Sequence, residues 1–371
     1  MEDRRAVPGS GSRPAVGLAD LAQLVRAPAA LSVPGDVLAG AAAAGHPLGA
    51  RTFGVMGSSV CLYWAGMALN DYADAAVDAV ERPERPVPSG RVPRRTALAV
   101  AGALTAGGLA LAAASGGRRS LLGALPLAGA VWAYDLKLKS TPAGPAAMAS
   151  ARALDVLAGA LAAGRGPDRT TGTGTALLRG AVPAALVGAH TYTLTALSRH
   201  EISGAPARLP AATLAASTAT ALAAALPAVR TAVAWRAGRL AERDGATGAA
   251  RSGTSAGISR PAATVTIPRP AAASGTRRPA TTASVSPSTA ARAVVVAAGA
   301  LAYLGSYGAA QARAVRKPSG ENVRRAVGAG ILGLMPLQAA LTARSGATVA
   351  AAALGVVHPL ARRLARRISP T

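Results

Sequence analysis

The chain has 371 residues and a formal net charge of +24, and 51% of its residues are hydrophobic although only 3% are aromatic. A mean hydropathy of +0.31 and repeated apolar stretches of about 17–25 residues exclude an ordinary soluble domain and indicate a helical membrane protein. Because the Arg residues lie between apolar stretches rather than along one face, the charge follows the positive-inside rule and argues against nucleic-acid binding.

Residues 1–29 predict a loose cytosolic segment, because their Arg residues are scattered among Pro and Gly and do not form a signal-peptide layout. The apolar stretches that follow predict nine or ten transmembrane helices, at about residues 30–50, 52–70, 96–114, 119–135, 145–164, 176–198, 208–235, 291–311, 326–343 and 346–361. With the amino terminus inside, Arg and Lys concentrate in the inside loops. This asymmetry predicts a multi-pass protein of the plasma (inner) membrane whose polar site faces the cytoplasm.

The apolar pattern is interrupted at residues 237–290, which are rich in Ala, Ser, Thr, Pro, Gly and Arg and have no periodicity. Such a composition predicts a disordered loop. The loop separates seven helices within 30–236 from the C-terminal helices and basic tail within 291–371.

The second span ends in the sequence Asn-Asp-Tyr-Ala-Asp-Ala-Ala-Val-Asp. Four of its polar side chains fall within an arc of roughly 100° on a helix surface: Asn70, Asp71, Asp74 and Asp78. Isolated carboxylates at the mouth of a membrane segment are costly, so a cation should share them. We predict a hard divalent ion, Mg²⁺, together with a phosphorylated ligand.

A loop rich in proline follows the carboxylates, and Arg85 and Arg91 lie on it. If the loop folds back, the two guanidinium groups can bind phosphate oxygens and complete a diphosphate clamp. The alternative is a solvated acidic helix end with Arg side chains that snorkel to the interface. We favour a binding function, because acidic residues at a helix C-terminus oppose the helix dipole.

Two later spans carry further candidates. The fourth ends in a segment where Lys137 and Lys139 are candidates for phosphate binding and Tyr134 for lining an acceptor pocket, although a positive-inside anchor explains these residues equally well. In the fifth, Arg152 and Asp155 are spaced i, i+3 and should face the bundle interior or a wet cavity. A functional pair and a buried structural ion pair both remain open.

The sixth span contains His190, and its inside end contains Arg199, His200 and Glu201. His200 and Glu201 are candidates to complete a metal or acceptor site. A histidine inside a span, such as His190, is more typically a residue whose hydrogen bonds are satisfied by neighbouring helices.

The chain resembles the UbiA superfamily of intramembrane prenyltransferases, and within it the EboC-like bacterial subgroup. Residues 70–78 match the family's first motif, Asn-Asp-x-x-Asp-x-x-x-Asp, and residues 85–90 match the Arg-Pro-x-x-Ser-Gly loop that follows it. Residues 134–140 are similar to the family's Tyr-Ser-x-x-x-Lys-Arg element, with Asp135 in the Ser place and Ser140 in the Arg place. The likeness covers roughly residues 25–365, apart from the segment 237–290.

The resemblance implies an all-α bundle of about nine helices, or ten, around a central cavity that holds Mg²⁺ and an isoprenyl diphosphate. It also implies that the first-motif carboxylates bind the metal. The family's second Asp-rich motif is reduced here to Ser198-Arg199-His200-Glu201, which calls the usual metal stoichiometry into question. The predicted catalytic residues are Asp71, Asp74, Asp78, Tyr134 and Glu201, and the predicted substrate-binding residues are Asn70, Arg85, Arg91, Lys137, Lys139, Arg152, Asp155, His190, Arg199 and His200.

The function that the resemblance implies is Mg²⁺-dependent transfer of an isoprenyl group from an allylic diphosphate to a lipophilic acceptor, aromatic or enolic, in the bilayer. One alternative is a non-catalytic membrane transporter or scaffold that binds a lipid diphosphate. A cation carrier fits less well, because its acids should lie in mid-span rather than crowd one interface. We expect neither a nucleic acid nor an obligatory protein as a partner.

Overall fold

The computed structural model describes residues 16–162, 172–252 and 286–368, and within these ranges the chain is helical without β-strands. The first half contains six helices: α1 Leu18–Leu24, α2 Pro34–Ala44, α3 Ala50–Ala73, α4 Ala75–Glu81, α5 Arg94–Ala133 and α6 Gly144–Ala160. The second half contains six more: α7 Thr173–Ser198, α8 Arg208–Ser252, α9 Pro287–Tyr303, α10 Ala309–Arg316, α11 Gly320–Arg344 and α12 Thr348–Ile368. Short π-helical turns follow α5 at Tyr134–Leu138 and α9 at Leu304–Gly308.

Five of the described helical segments are long and apolar enough to cross a membrane: Ala50–Ala73, Arg94–Leu138, Arg208–Ala237, Pro287–Arg316 and Gly320–Arg344. The apolar helices Ala30–Ala44 and Thr348–Pro359 are shorter. The backbone of α5 leaves helical geometry at Gly117, where φ is +61°, so α5 consists of two segments that correspond to two predicted spans. The count of nine or ten transmembrane helices stays a prediction.

Three boundaries differ from the sequence prediction. Residues 18–24, expected to be loose, form α1, and α8 continues to Ser252 into the segment predicted as a disordered loop. Both stretches contain Ala, Leu and other residues that favour helix. The Asp-rich motif, expected on one helix, is divided because α3 ends at Ala73 and α4 begins at Ala75. Residues 253–285 lie outside the described part of the chain.

Close contact between α2 and α6 fixes the interior of the first half. A Cβ atom at Gly40 would overlap the carbonyl oxygen of Val156, and one at Gly159 would overlap the backbone of Val37. Only glycine fits at both positions, and small residues of this kind let helices approach closely in membranes. The two helices are therefore held in a single register that brings the start of α2 against the middle of α6.

Candidate active site

The carboxylates of the Asp-rich motif lie where α3 gives way to α4. Asp71 and Asp78 are buried, with 2% and 1% of their surface exposed. Arg85, on the loop after α4, places its Nη1 2.6 Å from Asp78 Oδ2 and 3.7 Å from Asp71 Oδ1. The loop thus folds back over the carboxylates, as the sequence predicts, and a single guanidinium holds both acids.

A second guanidinium, missed by sequence reasoning, reaches the same carboxylates from the amino-terminal segment. Arg26 donates from Nη2 to Asp71 Oδ1 at 3.0 Å and to Asn70 Oδ1 at 3.4 Å. Its backbone is left-handed, with φ +48°, and among the described residues it is the only non-glycine with positive φ. Such a conformation is unfavourable for a residue with a Cβ and persists where the surroundings impose it, often at functional sites.

The π-helical turn Tyr134–Leu138 brings a third set of side chains to the motif. Asn70 Nδ2 donates to Asp135 Oδ1 at 3.3 Å, and Lys139 Nζ lies 2.6 Å from Asp74 Oδ1. Asp135 is 4% exposed. It was overlooked as a site residue because the sequence shows neither the wider turn nor its contact with α3, and such turns are frequent at functional sites.

Three other candidates near the mouth do not contact the motif carboxylates: two bind other groups of the protein, and the third is exposed to solvent. Arg91 contacts Asp20 on α1 at 2.5 Å rather than the motif carboxylates. Arg199 donates to the backbone oxygens of Lys139 and Thr141 at 3.2 and 2.6 Å, so it connects the end of α7 to the segment before α6. Lys137 is exposed.

The inside end of α7 meets the first motif through a cation. Arg82 Nη1 lies 3.7 Å from Asp78 Oδ1, and Arg82 also attracts the carboxyl of Glu201. Burial raises the pKa of Glu201, while Arg82 and Arg324 oppose that rise. His200, beside it, has its Nδ1 3.3 Å from the carbonyl oxygen of Ala196. Arg82 therefore interacts electrostatically both with Asp78 of the first motif and with Glu201, the single carboxylate of the reduced second motif.

His190 lies in a separate interior cluster. Its ring is fully buried and packs edge-on against Tyr303 and Tyr307, with Nδ1 3.1 Å from the Tyr303 hydroxyl. Thr193, one turn along α7, lies 3.2 Å from the Tyr307 hydroxyl. This cluster joins α7 to α9 and to the π-helical turn after α9, and His190 uses Nδ1 for its contact there.

An elongated cavity of about 230 Å³ opens beside the carboxylates and continues between α3, α5 and α6. Its mouth carries Arg26, Asn70, Tyr134 and Asp135. Its walls are mostly apolar: Leu62, Tyr63, Gly66, Met67, Leu127, Val131, Met148 and Ala151, with Val33 from the start of α2. Its far end, which we call the floor, carries Ser59, Arg152 and Asp155.

The pair expected between Arg152 and Asp155 is replaced by a contact across helices. Arg152 Nη2 lies 2.8 Å from Asp36 Oδ2 on α2, and Gln338 Nε2 on α11 donates to Asp36 Oδ1 at 2.6 Å. Asp155 instead accepts a hydrogen bond from the Ser59 hydroxyl on α3. Of the two alternatives, the structural ion pair does not form, because the close packing of α2 on α6 offers Arg152 a nearer carboxylate, and both residues line the cavity.

The chemistry of the mouth residues suits Mg²⁺, which prefers carboxylate and amide oxygens. In the described part of the chain no three acidic, His or Cys side chains converge on one point. Each motif carboxylate faces a guanidinium or ammonium group: Asp71 and Asp78 face Arg85, and Asp74 faces Lys139. That arrangement is compatible with a metal held by one or two carboxylates and completed by substrate phosphates, which is the usual mode for Mg²⁺.

The chain is similar to known proteins both in sequence and in fold. Residues 33–241, more than half of the chain, match the UbiA prenyltransferase family. Digeranylgeranylglyceryl phosphate synthase of Korarchaeum cryptofilum is 41% identical over 101 residues, which cover 27% of this chain and 36% of the relative. The enzyme of that name from Methanopyrus kandleri is 39% identical over 110 residues, covering 30% of this chain and 38% of the relative.

These alignments span little more than a third of each relative. A solved structure described as digeranylgeranylglyceryl phosphate synthase in membranes shares 14% sequence identity with the chain. It covers 90% of this chain and 99% of its own length with a TM-score of 0.51. At that identity the likeness shows a common helical fold.

Proposed function

The chain belongs to the UbiA prenyltransferase family and is a multi-pass membrane protein, and we propose that it transfers an isoprenyl group from an allylic diphosphate to a lipophilic acceptor. The observation that carries this proposal is the pairing of buried carboxylates with Arg26, Arg85 and Lys139 at the mouth of an apolar cavity. We place this mouth on the cytoplasmic side of the inner membrane, in accordance with the distribution of Arg and Lys.

The three mouth cations would bind the diphosphate. Guanidinium groups form bidentate hydrogen bonds with phosphate as readily as with carboxylate, so a diphosphate can take over Arg26 and Arg85 from the acids that hold them. Lys139 adds a compact charge. As the allylic C–O bond breaks, negative charge grows on the leaving diphosphate, and cations fixed in a water-poor site stabilise it without reorganisation.

The carboxylates freed by this exchange would hold Mg²⁺. Asp71, Asp74 and Asp78 are the candidate ligands, of which one or two would hold the metal directly, with Asn70 and Asp135 close enough to one another to orient the group. When bound, the metal supplies charge stabilisation of the leaving group. Glu201, which faces Arg82, supports the first motif through that cation rather than by ligation.

The cavity would hold the reacting carbons away from water. Its apolar walls, including Leu62, Leu127 and Val131, keep bulk water from quenching an allylic cation. Tyr63 and Tyr134 offer ring surfaces against which an aromatic or enolic acceptor can pack. The names of the aligned relatives support prenyl transfer, while the acceptor proposed here comes from the cavity of this chain.

Pyrophosphate release tests the proposal. The full chain in lipid nanodiscs is mixed with geranyl, farnesyl or geranylgeranyl diphosphate and extracted cell lipids as the acceptor pool, with and without Mg²⁺. We expect Mg²⁺-dependent release with a preference for one chain length. Saturable binding of all three compounds without release would instead favour the transporter or scaffold.

A further inference from the structure

The floor of the cavity carries a charged cluster that departure of the diphosphate does not use. Arg152 and Asp155 on α6 face the cavity beside Ser59 on α3, and Asp36 lies behind Arg152. Asp36 and Asp155 are 0% and 4% exposed. Buried charges within a membrane are costly and mark functional positions unless they are fully paired.

Within the described part of the chain, one carboxyl group of this charged cluster has no cation to pair with. Arg152 and Asp36 form a complete ion pair, and Gln338 adds a neutral hydrogen bond to Asp36. Asp155 has the Ser59 hydroxyl as its hydrogen-bond donor and no cation of its own within salt-bridge distance among the described residues. The cluster is therefore neutral or negative, whichever form Asp155 takes, and it offers no net attraction to an anion.

The floor is also rigid. Gly40 and Gly159 press α2 against α6, which fixes Asp36 behind Arg152 and holds Arg152 in place. Ser59 lies eleven residues before Asn70 on α3, so the floor is about 16 Å from the mouth along the helix axis. An acceptor bound at the floor by its inner end must therefore extend along the cavity toward the mouth, where the allylic carbon would be released.

We propose that Asp155 and Ser59, positioned beside the Asp36–Arg152 pair, bind a hydroxyl or N–H group at the inner end of a neutral acceptor. Asp155 accepts the hydrogen bond, and the surplus carboxyl group disfavours acceptors whose inner end is a carboxylate or a phosphate. This assignment rests on the proposed prenyl transfer and specifies the acceptor for it. The apolar walls above the floor suit the body of such a molecule.

Three probes that differ in one group test the assignment. They are 4-methylphenol, which has a donor hydroxyl, 4-methylanisole, which lacks it, and 4-methylbenzoate, which is anionic. Binding to the full chain in nanodiscs is measured by equilibrium dialysis, and binding to empty nanodiscs is subtracted. We expect saturable binding of 4-methylphenol at least tenfold tighter than that of either other probe. Equal affinity for 4-methylphenol and 4-methylanisole would overturn the proposal.

Two variants test which residues are responsible for the preference among the probes. Asp155→Ala removes the surplus carboxyl while Arg152 keeps Asp36, so we expect the preference for 4-methylphenol over 4-methylbenzoate to shrink at least tenfold. Ser59→Ala should reduce it a few-fold and serves as the milder variant if Asp155→Ala does not fold. Ser58→Ala, which changes a buried serine on α3 outside the cavity, is the matched control and should leave all three affinities unchanged. A wild-type preference in both floor variants would refute the assignment.

The experiment also separates this assignment from the proposed transfer. If the chain releases no pyrophosphate yet discriminates among the probes through Asp155, the floor assignment holds and the transfer proposal fails. If it releases pyrophosphate but binds the probes without discrimination, the transfer proposal holds and the floor assignment fails.

Discussion

The mouth and the floor of the cavity both pair buried carboxylates with guanidinium groups, but they are built on different backbone. The mouth takes its side chains from a left-handed residue, a helix break, a π-helical turn and a loop: Arg26, Asp74, Asp135 and Arg85. The floor takes Ser59 from α3 and Arg152 and Asp155 from α6, and Asp36 behind it comes from α2, which touches α6 through glycine. The difference indicates that the mouth can exchange ionic partners with a ligand, whereas the floor keeps its ion pair and offers a fixed group.

The largest expected effect on stability is at the floor. Asp36→Ala leaves the guanidinium of Arg152 buried and unpaired, so we expect the free energy of unfolding to fall by about 3–5 kcal/mol. Asp74→Ala should lower it by less, because the Asp74 carboxylate is 28% exposed and the flexible Lys139 side chain can turn toward water at the mouth. Reversible unfolding of both variants in mixed micelles measures the difference, and similar losses would remove the contrast between the two regions.

The largest expected effect on activity is at the mouth. Arg85→Ala removes the cation that both Asp71 and Asp78 contact, so we expect pyrophosphate release to fall about 10²-fold or more. Arg91→Ala changes a cation on the same loop that binds Asp20 on α1, and release should stay within a few-fold of wild type. Equal losses in the two variants would mean that the loop acts through its shape rather than through Arg85.

Arg26 allows backbone strain to be separated from charge. Arg26→Gly and Arg26→Ala both lose the contacts with Asn70 and Asp71, so each should raise KM for the diphosphate about tenfold. Only Gly adopts positive φ without penalty, so Arg26→Gly should be more stable than Arg26→Ala by about 1 kcal/mol. Steady-state kinetics of the two variants measure KM, and their reversible unfolding measures the difference in stability. If KM is unchanged in both variants, the guanidinium has no part in binding.

The smallest expected effect is at Glu201. Because burial raises its pKa above the ordinary value of 4.5, the folded protein holds the proton more tightly than the unfolded chain. Stability from this group is then present below pH 4.5 and lost as pH rises through the raised pKa. Glu201→Gln should therefore have a slightly larger free energy of unfolding than wild type at pH 7. This difference between variant and wild type should narrow as the pH is lowered, as reversible unfolding at several pH values would measure. A difference that widens in acid would show that Arg82 and Arg324 outweigh burial.

Hydropathy and local spacing were sufficient to predict the helical membrane class, the Asp-rich motif and the folding back of Arg85. Contacts between distant segments were not visible in the sequence. Arg26 meets Asn70 across 44 positions, and Asn70 meets Asp135 across 65. No local pattern encodes such pairs, because they depend on how helices pack.

Two differences between the sequence patterns and the structure at the site have the same cause. The spacing of the Asp-rich motif predicts a single helix, because spacing alone does not reveal the break at Asp74. The i, i+3 spacing suggests Asp155 as one partner for Arg152, although the structure pairs Arg152 with Asp36, 116 positions away along the chain. The signal for that contact was the glycine on each helix, Gly40 and Gly159, which allows the close approach.

The central claim is that the mouth carboxylates support departure of a diphosphate, and one comparison tests it most directly. Mg²⁺-dependent release of pyrophosphate from farnesyl diphosphate is measured for the wild type, Asp74→Asn and Asp20→Asn in nanodiscs. Asp20 on α1 pairs with Arg91 on the loop after α4 and does not touch the motif carboxylates, so its variant is the matched control. We expect release from wild type and Asp20→Asn and its loss in folded Asp74→Asn. Undiminished release from Asp74→Asn would contradict the account.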